Sequence, residues 1–214
     1  RSRMAAKYLQ MIRTDPEEGW ENELNRWYDE DHIPSLLGVP GFSWAKRYVG
    51  IEGSPKYMAL YEIESPEVLK TEAYIKARDS EWTLRIRAHR RNHTRNVYEL
   101  IYPEVGRDRP AGDNREHTLL VVRMEPEEDW EDEFNRWYNE DHVPALLGVP
   151  GFISGRRYVA IEGGPKYMAL YEVESPAVFQ TDVYKRDRET AWTLCIRPHR
   201  RNHTRNVYQV LHRG

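Results

Sequence analysis

Tyrosine and histidine side chains spaced four residues apart are the first candidates for chemistry in this sequence. Tyr28 and His32 lie in a segment with helical periodicity, so both side chains are predicted to lie on one face of a helix. A histidine beside a phenolic hydroxyl can exchange protons with a small substrate near neutral pH. The alternative is structural, with His32 only capping or packing the helix end ahead of Pro34. The same pair recurs as Tyr138 and His142.

A second group of candidates lies in the segment HRRNHTRN, which occurs twice. It places His93 and Arg95 in the first occurrence and His203 and Arg205 in the second. Residues two apart share one face of a strand. The histidines are candidate acid/base groups or, alternatively, polar residues at a strand end, and the arginines are candidate ligands for a substrate carboxylate or enolate oxygen. The alternative for the arginines is an ion pair with a glutamate of the neighbouring strand, Glu62 or Glu64.

Metal and haem sites have weaker support in the sequence. His89 and His93 are four residues apart, but a helix is expected to give way to a strand there, and no third ligand is evident. A haem would need an axial histidine in an apolar pocket, whereas the residues around His32 are rich in Asp and Glu. The sequence contains no glycine-rich phosphate loop, serine nucleophile elbow or CxxC motif. We therefore expect neither a metal nor a cofactor.

The elements that must position these residues occur twice, because the sequence contains an internal repeat. The segment LLGVPGF starts at Leu36 and again at Leu146, and KYMALYE starts at Lys56 and again at Lys166. The offset is 110 residues at each pair, without insertion or deletion. Two copies of so long a repeat indicate two domain-sized modules rather than a solenoid. We expect a first module at residues 4–102, a linker rich in proline, glycine and charge at 103–116, and a second module at 117–212.

The sequence of each module predicts the element order β-α-β-β-α-β. A strand at residues 6–13 is followed by a helix that Asp15 is expected to cap, with Pro16 at its first position. Two strands, at 42–50 and 56–64, form a predicted hairpin, and a second helix opening at Ser65 leads to a last strand at 94–102. This order predicts an α+β fold of two ferredoxin-like repeats. Each repeat would cover the open sheet face of the other, closing a pseudo-dimeric, eight-stranded α/β barrel.

The motif that begins at Tyr28 adds a family resemblance. The run from Tyr28 to Leu36 resembles the Y-x-x-x-H-x-P-x-L signature of the dimeric α+β barrel superfamily, and within it the EthD-like proteins. The resemblance covers both repeats. It implies a pocket between the first helix and the sheet of each half. Members include muconolactone-type isomerases, cofactor-free monooxygenases, polyketide cyclases, and haem-dependent peroxidases and dehydratases. In the polyketide cyclase branch a histidine placed like His93, with a tyrosine like Tyr28, resembles a general acid/base pair.

The two repeats differ most in their second strand. Residues 43–46 read SWAK, whereas residues 153–156 read ISGR. We expect Trp44, opposite Ser154 in the second repeat, to contact substrate and to account for any difference between the two pockets. The tyrosine and histidine candidates occur in both repeats, so two equivalent pockets are expected.

Composition excludes several partner classes. A net charge of −3 from 32 basic and 35 acidic residues is nearly balanced, which argues against nucleic acid and anionic membrane surfaces as partners. No apolar run approaches the ~18 residues of a membrane helix, and the first residues contain no apolar signal-peptide core. The single cysteine, Cys195, excludes an internal disulfide and favours a cytoplasmic setting.

These residues support one main function and two alternatives. The first is cofactor-independent acid/base chemistry of the lyase, isomerase or cyclase type on a small, partly aromatic or lactone-like catabolite. The alternatives are a non-catalytic small-molecule binding protein and a haem-dependent or cofactor-free oxidoreductase of the same superfamily. Assembly of the internal pseudo-dimer into a larger homo-oligomer stays open.

Overall fold

Eight long antiparallel strands form the framework of the molecule. The computed structural model describes residues 6–103, called here the first half, and residues 115–211, the second half. Successive side chains of a strand point to opposite faces, and here both faces are packed, one toward the barrel interior and one toward the helices. Their bounds are β1 Tyr8–Pro16, β2 Phe42–Glu52, β3 Tyr57–Ile63, β4 Arg90–Tyr102, β5 Thr118–Pro126, β6 Phe152–Glu162, β7 Tyr167–Val173 and β8 Arg200–Val210.

Short helical segments connect these strands and pack on the outside of the sheet. The first half contains α1 Glu21–Trp27, a π-helical turn Tyr28–His32, α2 Ile33–Leu37, a 3₁₀ turn Pro66–Lys70, α3 Glu72–Arg78 and α4 Glu81–Arg87. The second half contains α5 Glu131–Trp137, a π-helical turn Tyr138–His142, α6 Val143–Leu147, α7 Asp182–Asp187 and α8 Ala191–Ile196, with 3₁₀ turns at Glu128–Trp130, Pro176–Gln180 and Arg197–His199. The second predicted helix is therefore a 3₁₀ turn and two short α-helices.

The predicted start of the first helix at Asp15 and Pro16 is wrong. Both residues belong to β1, and α1 begins at Glu21. The Asp15 carboxylate accepts hydrogen bonds from the backbone N–H of Lys56 (2.7 Å) and from Nδ2 of Asn92 (2.8 Å). Asp15 thus joins the end of β1 to the loop before β3 and to the start of β4, where sequence reasoning assigned it to a helix cap.

The strands close into a barrel in the order β1-β3-β2-β8-β5-β7-β6-β4. Two joints link the halves: β2 pairs with β8, with Tyr48 opposite Val210, and β4 pairs with β6, with Leu100 opposite Tyr158. Both pairings are antiparallel. The predicted α+β class and eight-stranded barrel are therefore confirmed. Most of the predicted linker at 103–116 lies outside the described residues.

Three apolar clusters form the core. One fills the barrel interior with side chains of both halves, including Leu9, Tyr48, Leu119 and Tyr158, all fully buried. The other two lie outside the barrel, each between the sheet and the helices of one half. Because the interior cluster contains side chains of both halves, each half needs the other to bury its inner sheet face. Each outer cluster, by contrast, provides the walls of a separate cavity. Within the described ranges, no helix is long and apolar enough to cross a membrane.

Candidate functional site

Each half contains one cavity between its helices and the outer face of its sheet. The volumes are about 310 Å³ in the first half and about 320 Å³ in the second. The first cavity is lined by Tyr28 and His32 from the helical segment and by His93 and Arg95 from β4. The second is lined by the corresponding His142, His203 and Arg205, whereas Tyr138 is buried beside His142. The structure therefore brings the candidates of each half together, and volumes of this size suit a small organic ligand.

A π-helical turn carries the tyrosine and the histidine of each half. In the first half it spans Tyr28–His32, and the N–H of Ile33 bonds to the carbonyl of Tyr28, five residues earlier. Pro34 follows at once and has no N–H to continue the α-helical ladder. Single π turns within α-helices are frequent at functional sites. The turn holds the rings of Tyr28 and His32 edge to face, with centroids 5.6 Å apart.

His32 is a neutral histidine packed against an indole. Its ring stacks on Trp27 with centroids 4.3 Å apart, and Trp27 in turn donates a hydrogen bond from Nε1 to Oγ1 of Thr83 (3.0 Å). Burial, and then the positive charges of Arg90 and Arg87, lower the pKa of His32 to about 3. Burial and nearby arginines likewise lower the pKa of His142 to about 3. His32 and His142 are therefore neutral near pH 7, and the expected proton exchange by His32 stays a prediction.

The contacts of His32 leave one ring nitrogen for a ligand. Nδ1 of His32 is buried and has no hydrogen-bond partner in the described structure, and the same holds for Nδ1 of His142. Since these histidines line the cavities, Nε2 is the nitrogen that can meet a bound molecule. A neutral imidazole with a protonated Nε2 is a hydrogen-bond donor.

The tyrosines of the π-helical turns are hydrogen-bond donors at neutral pH. Tyr28 is buried, and burial raises its pKa although the nearby Arg47 opposes the shift. The Arg47 guanidinium lies 4.3 Å from the centre of the Tyr28 ring. In the second half, burial raises the pKa of Tyr138 to about 12, and Arg157 lies 4.4 Å from the ring centre. Both hydroxyls therefore stay protonated under physiological conditions.

The histidines of β4 and β8 lie at the mouths of the cavities. Both His93 and His203 side chains are exposed. Partial loss of hydration, and then the charges of Arg90, Arg87 and Arg95, lower the pKa of His93 to about 4. The pKa of His203 is lowered for the same kind of reason. His93 is therefore neutral at pH 7 and able to accept a proton, although as a weak base.

Four arginines make the first cavity electropositive. Arg78 and Arg87 share one carboxylate, Asp79, at 2.9 and 2.6 Å, and Arg95 pairs with Glu162 at 2.9 Å. Arg90 forms no ion pair with any described residue, and its Nε is buried without a hydrogen-bond partner. The four positive charges thus exceed their counter-charges, and the described lining residues of this cavity include no carboxylate.

The second cavity has a matching set of four arginines, but one carboxylate, that of Glu189, is among its lining residues. Arg188 and Arg197 share Glu189, at 3.4 and 2.5 Å, and Arg205 pairs with Glu52 at 2.8 Å. Arg200, the counterpart of Arg90, has no ion-pair partner in the part of the chain that is described. A buried or half-buried cation without a counter-ion is unfavourable unless an anion binds. Both cavities are therefore suited to a small anion.

Two expectations about the binding residues need correction. The ion-pair partners of Arg95 and Arg205 are Glu162 and Glu52 from the opposite half, whereas Glu62 and Glu64 were expected. Trp44 does not contribute to either cavity but packs in the barrel interior. A β-bulge between Phe42 and Trp44 reverses the alternation of faces, so Phe42 packs on the helix side and Trp44 points inward.

Sequence reasoning missed Arg90 and Arg200. Both lie in the HRRNHTRN segments, whose density of donors was evident, but only the later arginine of each segment was assigned to binding. They were missed because the strand begins at Arg90, four residues earlier than predicted. Tyr61 of β3 and its counterpart Tyr171 were also missed; each lines a cavity with a buried hydroxyl that has no described partner.

Solved structures with the same fold include proteins with different described activities. No protein-family profile matches the sequence, and no curated protein matches it. An anthrone oxidase-like protein superposes with a TM-score of 0.67 at 12% identity, over 98% of this chain and 95% of its own. A heme-binding protein from Thermus thermophilus gives 0.59 at 12%, over 99% and 94%. A variant of the chlorite dismutase from Candidatus Nitrospira defluvii gives 0.59 at 10%, over 97% and 93%.

The chain has the dimeric α+β barrel fold. Likeness at such low identity extends to the fold alone, so the chemistry must be argued from the cavities. Among the described residues, no three His, Cys, Asp or Glu side chains are grouped closely enough to hold a metal ion.

A heme-binding protein is among the structural neighbours, but the residues of these cavities do not fit a haem. An axial histidine normally donates its second ring N–H to a carboxylate or a carbonyl. Nδ1 of both His32 and His142 is buried without such a partner among the described residues. The walls also carry four arginines each, where the faces of a macrocycle would need apolar contacts.

Proposed function

We propose that the protein is a cofactor-independent acid/base enzyme that binds a small, partly aromatic anion in each cavity and stabilises an enolate or phenolate formed from it. The observation that carries this proposal is the convergence of four arginines with a neutral histidine and a protonated tyrosine in a cavity of about 310 Å³. Donors fixed in a partly desolvated site stabilise negative charge as it develops. Reactions of the isomerase, lyase and cyclase types share such an intermediate.

The proposed roles follow from the charge state of each residue. Arg90, which has no ion pair among the described residues, receives the carboxylate of the substrate. Neutral His32 and protonated Tyr28 donate hydrogen bonds to the oxygen that gains charge. His93, neutral at the mouth, accepts the proton. His142, Tyr138, His203 and Arg200 have the same roles in the second half.

Substrate charge assists the proposed base. The charges of the arginines contribute to the low pKa of His93. A bound carboxylate offsets that positive field, so the pKa of His93 rises when substrate is present. A general base works best when its pKa lies near the working pH. The enzyme would thus become a stronger base only with its anionic substrate bound.

The test is proton exchange on a probe of the proposed chemistry. Phenylpyruvate carries an aromatic ring, a carboxylate and an enolisable carbon. We expect the protein to accelerate deuterium uptake at that carbon in D₂O, and His93→Asn with His203→Asn to slow it by about 10²-fold or more while binding persists. Binding without exchange would favour the non-catalytic binding protein. Failure of the wild-type protein to bind aromatic carboxylates would refute the proposal.

A cofactor-free oxidase is the second candidate. An anthrone oxidase-like protein is among the structural neighbours, and a site that stabilises a carbanion or phenolate also prepares a substrate for reaction with oxygen. Oxygen consumption coupled to loss of the probe would favour this candidate. Deuterium exchange without oxygen consumption would favour a reaction of the isomerase, lyase or cyclase type.

We also propose that the chain is a fused duplication of an EthD-like, ferredoxin-like module. The proposed repeats are residues 4–102 and 117–212, joined by a linker at 103–116. The support is the constant sequence offset of 110 residues, together with the matching strand orders β4-β1-β3-β2 and β8-β5-β7-β6. Each repeat then takes the place of one subunit of a dimer. The single Cys195 fits a cytoplasmic setting, which belongs to the same proposal.

A further inference from the structure

Two buried arginines lie inside the barrel, apart from both cavities. Leu9 and Met11 of β1 belong to the interior cluster, and Arg13 follows on the same face. Its counterpart on β5 is Arg123. The two residues are only 4% and 5% exposed, so both guanidinium groups are withdrawn from water.

Hydrogen bonds show that both side chains cross the barrel interior. Nη1 of Arg13, on β1, donates to Oδ1 of Asn206 on β8 (3.4 Å). Nη1 of Arg123, on β5, donates to Oδ1 of Asn96 on β4 (3.5 Å). Two strands separate the members of each pair in the barrel order, so each arginine spans much of the interior at the same end. The two positive groups therefore approach each other near the barrel axis.

These charges have no described counter-charge. Their hydrogen-bond acceptors are neutral: amide oxygens, including the backbone carbonyl of Gly164, which Arg123 reaches at 3.3 Å, and, for Arg13, the hydroxyl of Tyr208. Nε of both arginines, and the hydroxyl of the inward-facing Tyr98, are buried without partners in the described structure. Burial, and then the charge of Arg123, lower the pKa of Arg13. Two like charges held in a barrel interior are costly unless an anion lies between them.

We propose that a small inorganic anion of chloride size binds on the barrel axis between Arg13 and Arg123. The hairpin loops limit its size, because they close this end of the barrel. Nδ2 of Asn206 donates to the carbonyl of Ser54 (3.1 Å), and Nδ2 of Asn96 donates to the carbonyl of Gly164 (3.2 Å). The ion joins the two halves through charge-assisted hydrogen bonds. This site is independent of the proposed reaction in the outer cavities.

The test compares chloride and bromide with methanesulfonate, a larger monovalent anion, at equal ionic strength. We expect halide at several times its Kd to raise the Tm of the full chain by about 3 °C relative to methanesulfonate. Crystals grown with bromide should show an anomalous peak between the two guanidinium groups. The double variant Arg13→Met/Arg123→Met should lose both effects.

The matched control is Arg91→Met/Arg201→Met, which removes two exposed arginines at equivalent positions and changes the net charge equally. It should keep the halide effect. Equal Tm values in the two salts, together with no bromide peak in the wild-type crystal, would overturn the proposal. A halide shift of full size in the Arg13/Arg123 variant would overturn it as well. Because the wild-type measurements decide the matter alone, poor folding of that variant leaves the test intact.

Discussion

The guanidinium of Arg95 is ion-paired with the carboxylate of Glu162, at 2.9 Å across the β4–β6 joint between the halves. Arg205 and Glu52 form the same contact at 2.8 Å across the β2–β8 joint. One arginine of each cavity is thus paired with a carboxylate from the opposite half that is not among the lining residues. That carboxylate offsets part of the positive charge that would otherwise attract an anionic ligand.

Removing these carboxylates should tighten anion binding. We expect Glu162→Gln/Glu52→Gln to lower the Kd for benzoate about threefold or more, because Arg95 and Arg205 then have no competing carboxylate. Stability should change little, since both glutamates are about half exposed. Isothermal titration calorimetry provides the measurement. The control is Glu64→Gln/Glu174→Gln, an exposed pair that should leave the Kd unchanged. Weaker binding in the first variant would contradict the charge argument.

Removing the unpaired arginines should have the opposite effect. A hydrogen bond to a charged group contributes about 1.5–3 kcal/mol, so Arg90→Met/Arg200→Met should raise the Kd for benzoate by at least about tenfold. Arg91→Met/Arg201→Met changes the next residue of each strand, which is exposed, and should bind normally. Equal losses in both variants would mean that overall charge, rather than the cavity, governs binding.

The buried histidines should make the fold sensitive to mild acid. The folded pKa of His32 and His142 is about 3, below the unfolded value of ~6.5. Between those values the unfolded chain binds protons that the native state does not, so the free energy of unfolding falls as pH falls below 6.5. From pH 7 to 5 the two histidines together should cost about 2–4 kcal/mol. Urea unfolding at the two pH values should show this loss, and His32→Asn/His142→Asn should reduce it. Equal losses in wild type and variant would argue against buried, neutral histidines.

An isolated first half should dimerise rather than remain monomeric. Separation would leave β2 and β4 without their partners β8 and β6, and would expose interior residues such as Leu9 and Tyr48. A second copy can cover the same face, because the two halves share one strand order. Sedimentation of residues 4–102 would measure the association. A folded, monomeric half would contradict the proposed duplication.

The sequence by itself was sufficient to predict the α+β class, the eight strands and the closed barrel. These follow from local and repeated information: aromatic and β-branched runs, turn residues between strands, and an offset of 110 residues that relates the halves. The placement of Tyr28 and His32 on one helical face is equally local, because residues four apart in a helical turn are neighbours.

Tertiary structure alone decided the chemical character of the site. The low pKa of His32 arises from burial and from arginines nearly sixty residues away in sequence, so no local pattern encodes it. A β-bulge turned Trp44 from the expected cavity into the barrel, since one extra residue reverses the faces of a strand. Closure of the barrel brought Glu162 to Arg95 and left Arg90 without a described counter-charge. Desolvation and charge pairing depend on distances in space, which strand periodicity does not specify.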